Sequence, residues 1–253
     1  MKYLLYTMFL LSAIQSRAQL TFRILPVVSY GISGIGYTTA AKAPSYSYNK
    51  EVSYRSTGSL AAGVLAGICG DRAGFTSGIQ FVSDGMKFDA YEWSYHGLGG
   101  GNANFSDYYS GKIKFAHIVV PAIFCLRVHL DSAITFVPGL GLETSFNLRS
   151  RSHEGNTYED KPEIILSGTE FAKYYAPLTA SLMLQANIEV ALPKRSFLYA
   201  GLSYRYMISD FLRSPDATGH MYGFCGNLGF GFNMSQQKHN QVKRPVNPVN
   251  QDD

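Results

Sequence analysis

The sequence predicts an all-β protein, an eight-stranded antiparallel up-and-down transmembrane β-barrel, and three observations predict it. The first is the stretch from Ala133 to Arg149, where Ile134, Phe136, Pro138, Leu140, Leu142, Thr144, Phe146 and Leu148 share one parity. Thr135, Val137, Gly139, Gly141, Glu143, Ser145 and Asn147 share the other. A period of two over this length is a strand with one apolar and one polar or small face. It is longer than the 5–6 residues usual for a globular strand and reaches the roughly 9–11 residues of a tilted membrane-spanning strand. The second is that connections between such strands alternate short and long without exception. The third is composition: charged residues are only 16%, aromatics reach 14% and there are 25 glycines. That balance suits strands with one face in lipid. No apolar run of about 18 residues follows the N-terminal segment, so spanning helices are not expected.

Strand one is Leu20 to Ser33, with Leu20, Phe22, Ile24, Pro26, Val28, Tyr30 and Ile32 on its apolar face. Gly34 to Arg55 is polar and reads as a long loop. Ser56 to Cys69 is strand two, a tight turn follows at Gly70 to Ala73, and Gly74 to Phe88 is strand three. Asp89 to Gly111 is a second long loop, holding the single tryptophan, Trp93. Lys112 to Val128 is strand four, and His129 to Ser132 turns into strand five, the stretch described above. Ser150 to Ala172 is a third long loop. Lys173 to Leu192 is strand six, Pro193 to Ser196 turns, and Phe197 to Leu212 is strand seven. Arg213 to His220 is a loop and Met221 to Met234 is strand eight. Short turns after strands two, four and six, and longer connections after the others, match the periplasmic turns and outside loops of membrane barrels. An even strand number then puts both chain termini on the periplasmic side.

Met1 to Ala18 reads as a signal peptide: Lys2 is the basic start, Tyr3 to Ile14 the apolar core, and Ser16-Arg17-Ala18 the small-x-small end, with cleavage after Ala13 an alternative. The barrel domain then runs over 19–234, and 235–253 is a polar tail of Lys, Gln, Asn and Pro expected to be disordered. Without the first 18 residues the chain keeps 20 Lys and Arg against 18 Asp and Glu. That near-neutral balance excludes a basic stripe for nucleic acid. Cys69, Cys125 and Cys225 are far apart and form no CxxC or metal spacing with the six histidines, so no cofactor or metal is expected.

The inward parity supplies Arg23, Gln80, Asp84, His117, Arg127, Glu143, Gln185, Asn187, Glu189, Arg205 and Asn227. An eight-stranded barrel has room only for side chains in its interior, and charges there must pair or stay hydrated. Counting from the turns puts Arg23, Arg127 and Glu189 near the periplasmic end, and His117, Glu143 and Arg205 nearer the outside. Two layers of ion pairs are expected, with Glu143–Arg205 the central pair. Two rival readings bear on function. His117, Glu143 and Ser145 are the residue types of a hydrolytic triad, so a lipid-modifying outer-membrane hydrolase is one alternative, disfavoured because the trio faces the lumen. A soluble lipocalin-like barrel is the other; it would turn the apolar face inward around a small ligand.

Aromatics near strand ends, among them Tyr30, Phe146, Tyr174, Tyr175, Tyr206, Phe211, Tyr222 and Phe232, suit the membrane interface. The Tyr, Asn, Ser and Gly content of the long loops suits contacts with protein or glycan. The signal ending in Ala-Gln, FAHIVVPAIFCLRV in strand four, FVPGLGLETSF in strand five and the closing GNLGFGFNM resemble the PorT-like outer-membrane β-barrel proteins. The resemblance implies a Gram-negative outer-membrane location, a structural or protein-interaction role rather than an enzyme, and for some members service to a secretion or envelope-assembly system. Expected partners are membrane lipid, lipopolysaccharide and envelope proteins reached through the outer loops, with no nucleic acid.

Overall fold

The computed structural model describes residues 20–39, 48–94, 104–156, 162–213 and 217–234. The expected signal segment, the polar tail 235–253 and the Gly97–Gly101 run lie outside them. The strands are β1 (Thr21–Thr39), β2 (Tyr48–Cys69), β3 (Ala73–Ser94), β4 (Asn104–Leu126), β5 (Val128–His129), β6 (Ile134–Asn156), β7 (Ile164–Ser167), β8 (Leu178–Ala191), β9 (Ser196–Met207) and β10 (Ala217–Met234). A seven-residue helix, α1 (Gly168–Tyr174), lies between β7 and β8. Eight strands close a ring in the order β1-β2-β3-β4-β6-β8-β9-β10, and β10 returns to pair antiparallel with β1 from Phe22↔Met234 to Thr39↔Ala217. The two-residue β5 and four-residue β7 only flank β6.

The face assignment decides between membrane and solution. Leu20, Phe22, Val28, Ile79, Leu142, Leu178, Leu202 and Leu228 all point outward, with Leu228 65% and Ile79 63% exposed. The opposite parity is buried: Val82, Val119 and Asn187 have no exposure. Along β4 and into β5 the outward apolar run from Val128 back to Ile118 covers ten residue steps. At about 3.3 Å per residue and a tilt near 40°, that is a belt about 25 Å tall. A soluble barrel would not leave so continuous an apolar wall in water. The lipocalin-like reading needs this face inside, and the structure puts it outside.

The strands outrun their apolar pattern at the outer end. Tyr48–Arg55, expected as loop, pairs with β3 from Tyr48↔Ser94 to Arg55↔Lys87. Asn104–Gly111 likewise continues β4, and β6 runs on to Asn156. Above the lipid no hydrocarbon imposes alternation, so the ladder pairing continues while the pattern that marks a strand in sequence stops. The expected strand six is also corrected: Lys173 and Tyr174 belong to α1, and β8 starts at Leu178. Gly168, at φ +56°, supplies the left-handed residue that turns β7 into this helix.

Bulges re-phase two strands. At Ala116/His117 the register steps from Arg149 to Asn147, so Leu148 is the extra residue on β6. Below it odd residues face the lumen; above it Ser150 is buried while Arg149 and Arg151 are exposed. A second irregularity lies between Ser56 and Leu60 on β2. At the opposite end the turns are short. In one of them Asp131 accepts hydrogen bonds from the Ser132 hydroxyl (2.8 Å) and backbone N–H, which hold its carboxyl below the usual carboxylate range.

Inside the wall, small residues set how near side chains can come. Gly201 pairs with Asn187, and a Cβ there would strike the Asn187 amide oxygen and the Ala186 carbonyl. Gly201→Ala is expected to lower stability by about 1–3 kcal/mol. A urea titration of the folded band on a semi-native gel measures it, and an unchanged midpoint would show that Asn187 has room to move.

Candidate functional site

The lumen is filled in alternating charged and apolar layers. At the periplasmic end, β1 brings Arg23, the β4–β5 junction brings Arg127 and β8 brings Glu189. Arg23 grips Glu189 with two parallel hydrogen bonds, Nη1 to Oε1 at 2.7 Å and Nη2 to Oε2 at 2.8 Å. Arg127 Nη1 donates to the same Oε2 at 2.8 Å. Arg23 Nε donates to Asn233 Oδ1 at 2.9 Å, and its guanidinium carbon lies 3.9 Å from the centre of the Phe197 ring. Two-pronged pairs of this kind are among the stronger hydrogen bonds a protein makes, and here both partners are buried.

Above this layer Leu25, Val27, Leu65, Phe197 and Tyr199 pack together, facing a second group of Ile123, Cys125, Val137 and Met183. A narrow polar belt follows. Gln185 Nε2 donates to Cys125 Sγ at 3.3 Å, and Ser203 donates to Asn227 at 3.1 Å. Between these groups is a cavity of about 30 Å³ lined by Gln80, Glu143, Gln185, Arg205 and Asn227 among others. It has room for a water molecule or two and not for an organic substrate.

The second charged layer is organised around Asp84, on β3. Asp84 accepts a hydrogen bond from Ser59 Oγ, faces His117 Nε2 at 3.3 Å and lies 3.5 Å from Arg205 Nη2. Arg205 Nε is 3.5 Å from Glu143 Oε2. That is ion-pair range without a hydrogen bond, and Glu143 Oε2 has no hydrogen-bond partner among the described residues. His117 Nδ1 meets Asn147 Oδ1 at 2.7 Å. The Asn147 amide nitrogen is already given to the Ala176 carbonyl at 2.6 Å, so its oxygen accepts and His117 Nδ1 donates. His117 and Arg205 thus meet through Asp84, while Glu143 lies in ion-pair range of Arg205 itself. Arg23, Arg127 and Glu189 meet directly.

The hydrolytic trio is not assembled. His117 is bonded to Asn147 and Asp84, and no hydrogen bond joins it to Ser145 or Glu143 among the described residues. The cavity shared by His117 and Ser145 is about 10 Å³. A nucleophile needs its base within hydrogen-bond reach and a place for the reacting carbonyl, and neither is present.

The outer mouth is closed by an apolar plug. Phe171 of α1 and Phe211 of the β9–β10 connection are buried with Ile35, Met86, Phe115, Met207 and Met221. Phe115 meets Phe211 edge-on at 4.7 Å and Tyr175 at 5.1 Å between ring centres. Tyr175 and Phe211, expected at the membrane interface, therefore sit inside the mouth. They fall in segments whose backbone has left the wall, so strand parity no longer decides where they point. Tyr30, Tyr204 and Tyr206 do face outward. Strand parity alone placed Asp84 among the inward residues without marking it as the hub. Phe171 falls in the expected loop Ser150 to Ala172, where a large apolar residue in a polar connection is the signal for it, and Phe211 falls at the end of the expected strand seven, where parity masks it.

A closed ring, an apolar outer belt about 25 Å tall and a side-chain-filled interior leave one assignment. The protein is an outer-membrane-type β-barrel. No family model matches the chain, and no curated protein matches it. Among solved structures it is similar to Neisserial surface protein A, at 13% identity over 84% of this chain and 97% of that one, with a TM-score of 0.38. It is also similar to the outer membrane protein OprG of Pseudomonas aeruginosa, at 12% identity over 87% and 98%, TM-score 0.37. A third is the outer membrane protease OmpT of Escherichia coli, at 6% identity over 85% and 97%, TM-score 0.40. At these identities the likeness concerns the β-barrel fold and carries no activity across.

Proposed function

We propose that this barrel works as a sealed anchor. It holds the paired outer ends of β2, β3, β4 and β6 above the membrane for contact with envelope or external partners, and it neither conducts nor catalyses. The observation that carries this reading is the closure of the lumen at both levels: the Phe171–Phe211 plug over the Asp84–Arg205 cluster, and the Arg23–Glu189–Arg127 layer beneath. A pore needs a continuous wet path, and an active site needs room for substrate. The interaction role, including service to a secretion or assembly system of the kind the PorT-like resemblance implies, rests on the strand extensions that rise beyond the lipid. The Asn, Ser and Tyr composition of those stretches gives adaptable hydrogen bonding.

Reconstitution of the purified protein in a planar bilayer tests the sealed lumen. No unitary current steps are expected at 100 mV. Steady channels in the folded, heat-modifiable form would overturn the proposal and turn the two charged layers into selectivity elements.

A further inference from the structure

The outer wall carries its own charged site, separate from the lumen. Beyond the bulge at Leu148, β6 turns Arg149 and Arg151 outward, because Ser150 between them is buried. On β4, Lys112 and Lys114 point outward, alternating with Phe115, which is 1% exposed and faces the plug. The register then sets like charges directly across from each other: Arg55↔Lys87, Lys87↔Lys112 and Lys114↔Arg151. Directly opposed like charges destabilise a sheet. Lys112 carries the Coulombic repulsion of both Lys87 and Lys114.

Partial compensation exists at the edges. Arg55 pairs with Asp89 at 3.0 Å and Arg151 with Glu163 at 3.2 Å. Among the described residues no carboxylate pairs with Lys87, Lys112, Lys114 or Arg149. The patch begins where the apolar belt ends, above Phe81, Ile118 and Phe146, which are 37–50% exposed. It occupies only one side of the barrel. The outward faces of β8, β9, β10 and β1 hold no Lys or Arg among the described residues, and Tyr204, Tyr206 and Tyr30 stand there instead.

We propose that the outward row of Lys87, Lys112, Lys114, Arg149 and Arg151 binds the phosphate groups of an outer-leaflet lipid headgroup, whose acyl chains lie on the apolar wall below. Phosphate oxygens are strong acceptors that can bridge two opposed cations, which removes the repulsion the register creates. A soluble polyanion would meet the charges alone. A phosphorylated lipid meets the charges and the apolar wall beneath them together, and that continuity selects it. The site rests on the membrane placement of the barrel and is independent of whether the lumen is sealed.

The test uses the full-length protein in an uncharged detergent, with diphosphoryl lipid A and its dephosphorylated counterpart as probes. The native protein is expected to bind the phosphorylated form at least about tenfold more tightly. Removing two cations with K112Q/K114Q is expected to weaken it about twenty- to thirtyfold, at roughly fivefold per charge near a membrane surface. K194Q, in a turn at the other end of the barrel, is expected to change nothing. Heat-modifiable migration verifies that each variant is folded, and the single variants K112Q and R149Q provide the measurement should the double variant not fold. Equal binding of the two lipid forms, or of the folded variants and the native protein, would overturn the site. Competition by inorganic diphosphate or a sulfated polysaccharide at or below the lipid's own concentration range would overturn its assignment to a lipid.

Discussion

Glu189→Ala is expected to destabilise the barrel by about 3–5 kcal/mol, because it strands two guanidinium groups in the lumen. Arg23 and Arg127 both spend their charge on this one carboxylate, at 2.7 and 2.8 Å. Neither has a second acid to turn to among the described residues, and Phe197 supplies only the face of a ring to Arg23. The cost therefore comes from the cations left behind more than from the bond removed. That distinction can be measured. In a triple variant with Arg23, Arg127 and Glu189 all replaced by methionine, most of the loss is expected to be recovered, since a matched set of apolar side chains of similar volume is often as stable as a buried ion pair. Urea titration of the folded form in lipid vesicles gives both values. If the triple variant is as unstable as Glu189→Ala, the layer contributes geometry that apolar packing cannot replace.

Phe171→Ala is expected to undock the cap rather than unfold the wall. Phe171 is 1% exposed and packs on Phe211, Tyr175 and their neighbours, so truncating it carries the usual cost of about 3–5 kcal/mol for a large core aromatic. The other ties of the segment 164–177 are mainly backbone hydrogen bonds. A short pairing of β7 with β6 and the bonds of Asn147 and Arg213 to the backbone carbonyls of Ala176 and Ala172 are among them. Hydrogen exchange is expected to rise across 164–177 while β1, β8 and β10 keep their protection. Equal loss of protection in the wall would show that the plug is part of the barrel's own core and not a docked cover.

How much of this could be read from residues alone depends on where lipid is. Within the belt the alternation is physical necessity, because each strand meets hydrocarbon on one side and packed side chains on the other. Ile118, Phe124, Leu142 and Leu202 announce their strands for that reason. Above the belt Tyr48–Arg55 and Asn104–Gly111 have no lipid to impose alternation, and nothing in their composition separates a paired strand from a loop. The members of the two charged layers were legible because a cation or acid on the inward parity of a narrow barrel has few places to go. The pairing was legible only in part: Glu143 does lie in ion-pair range of Arg205, but that Asp84 would join His117 and Arg205 depends on strand stagger, which parity does not give. The helix α1 escaped because seven residues are too few to show a helical period, and Tyr174 and Ala176 happen to continue the parity of the strand that follows.

The seam between β1 and β10 has a consequence for how the molecule is made. These strands pair along sixteen registered positions, yet they stand at opposite ends of the described chain. Nothing can complete the ring until the last strand has been delivered across the inner membrane. Until then the chain has two raw edges whose backbone donors and acceptors hydrocarbon cannot satisfy. Until β10 arrives the other seven strands form an open sheet, and Leu228, Phe230, Phe232 and Met234 are the last outward apolar residues of the wall to be made. The final eighteen residues of the wall act as a certificate of completeness: a chain cut short before Ala217 has no lawful place in the membrane.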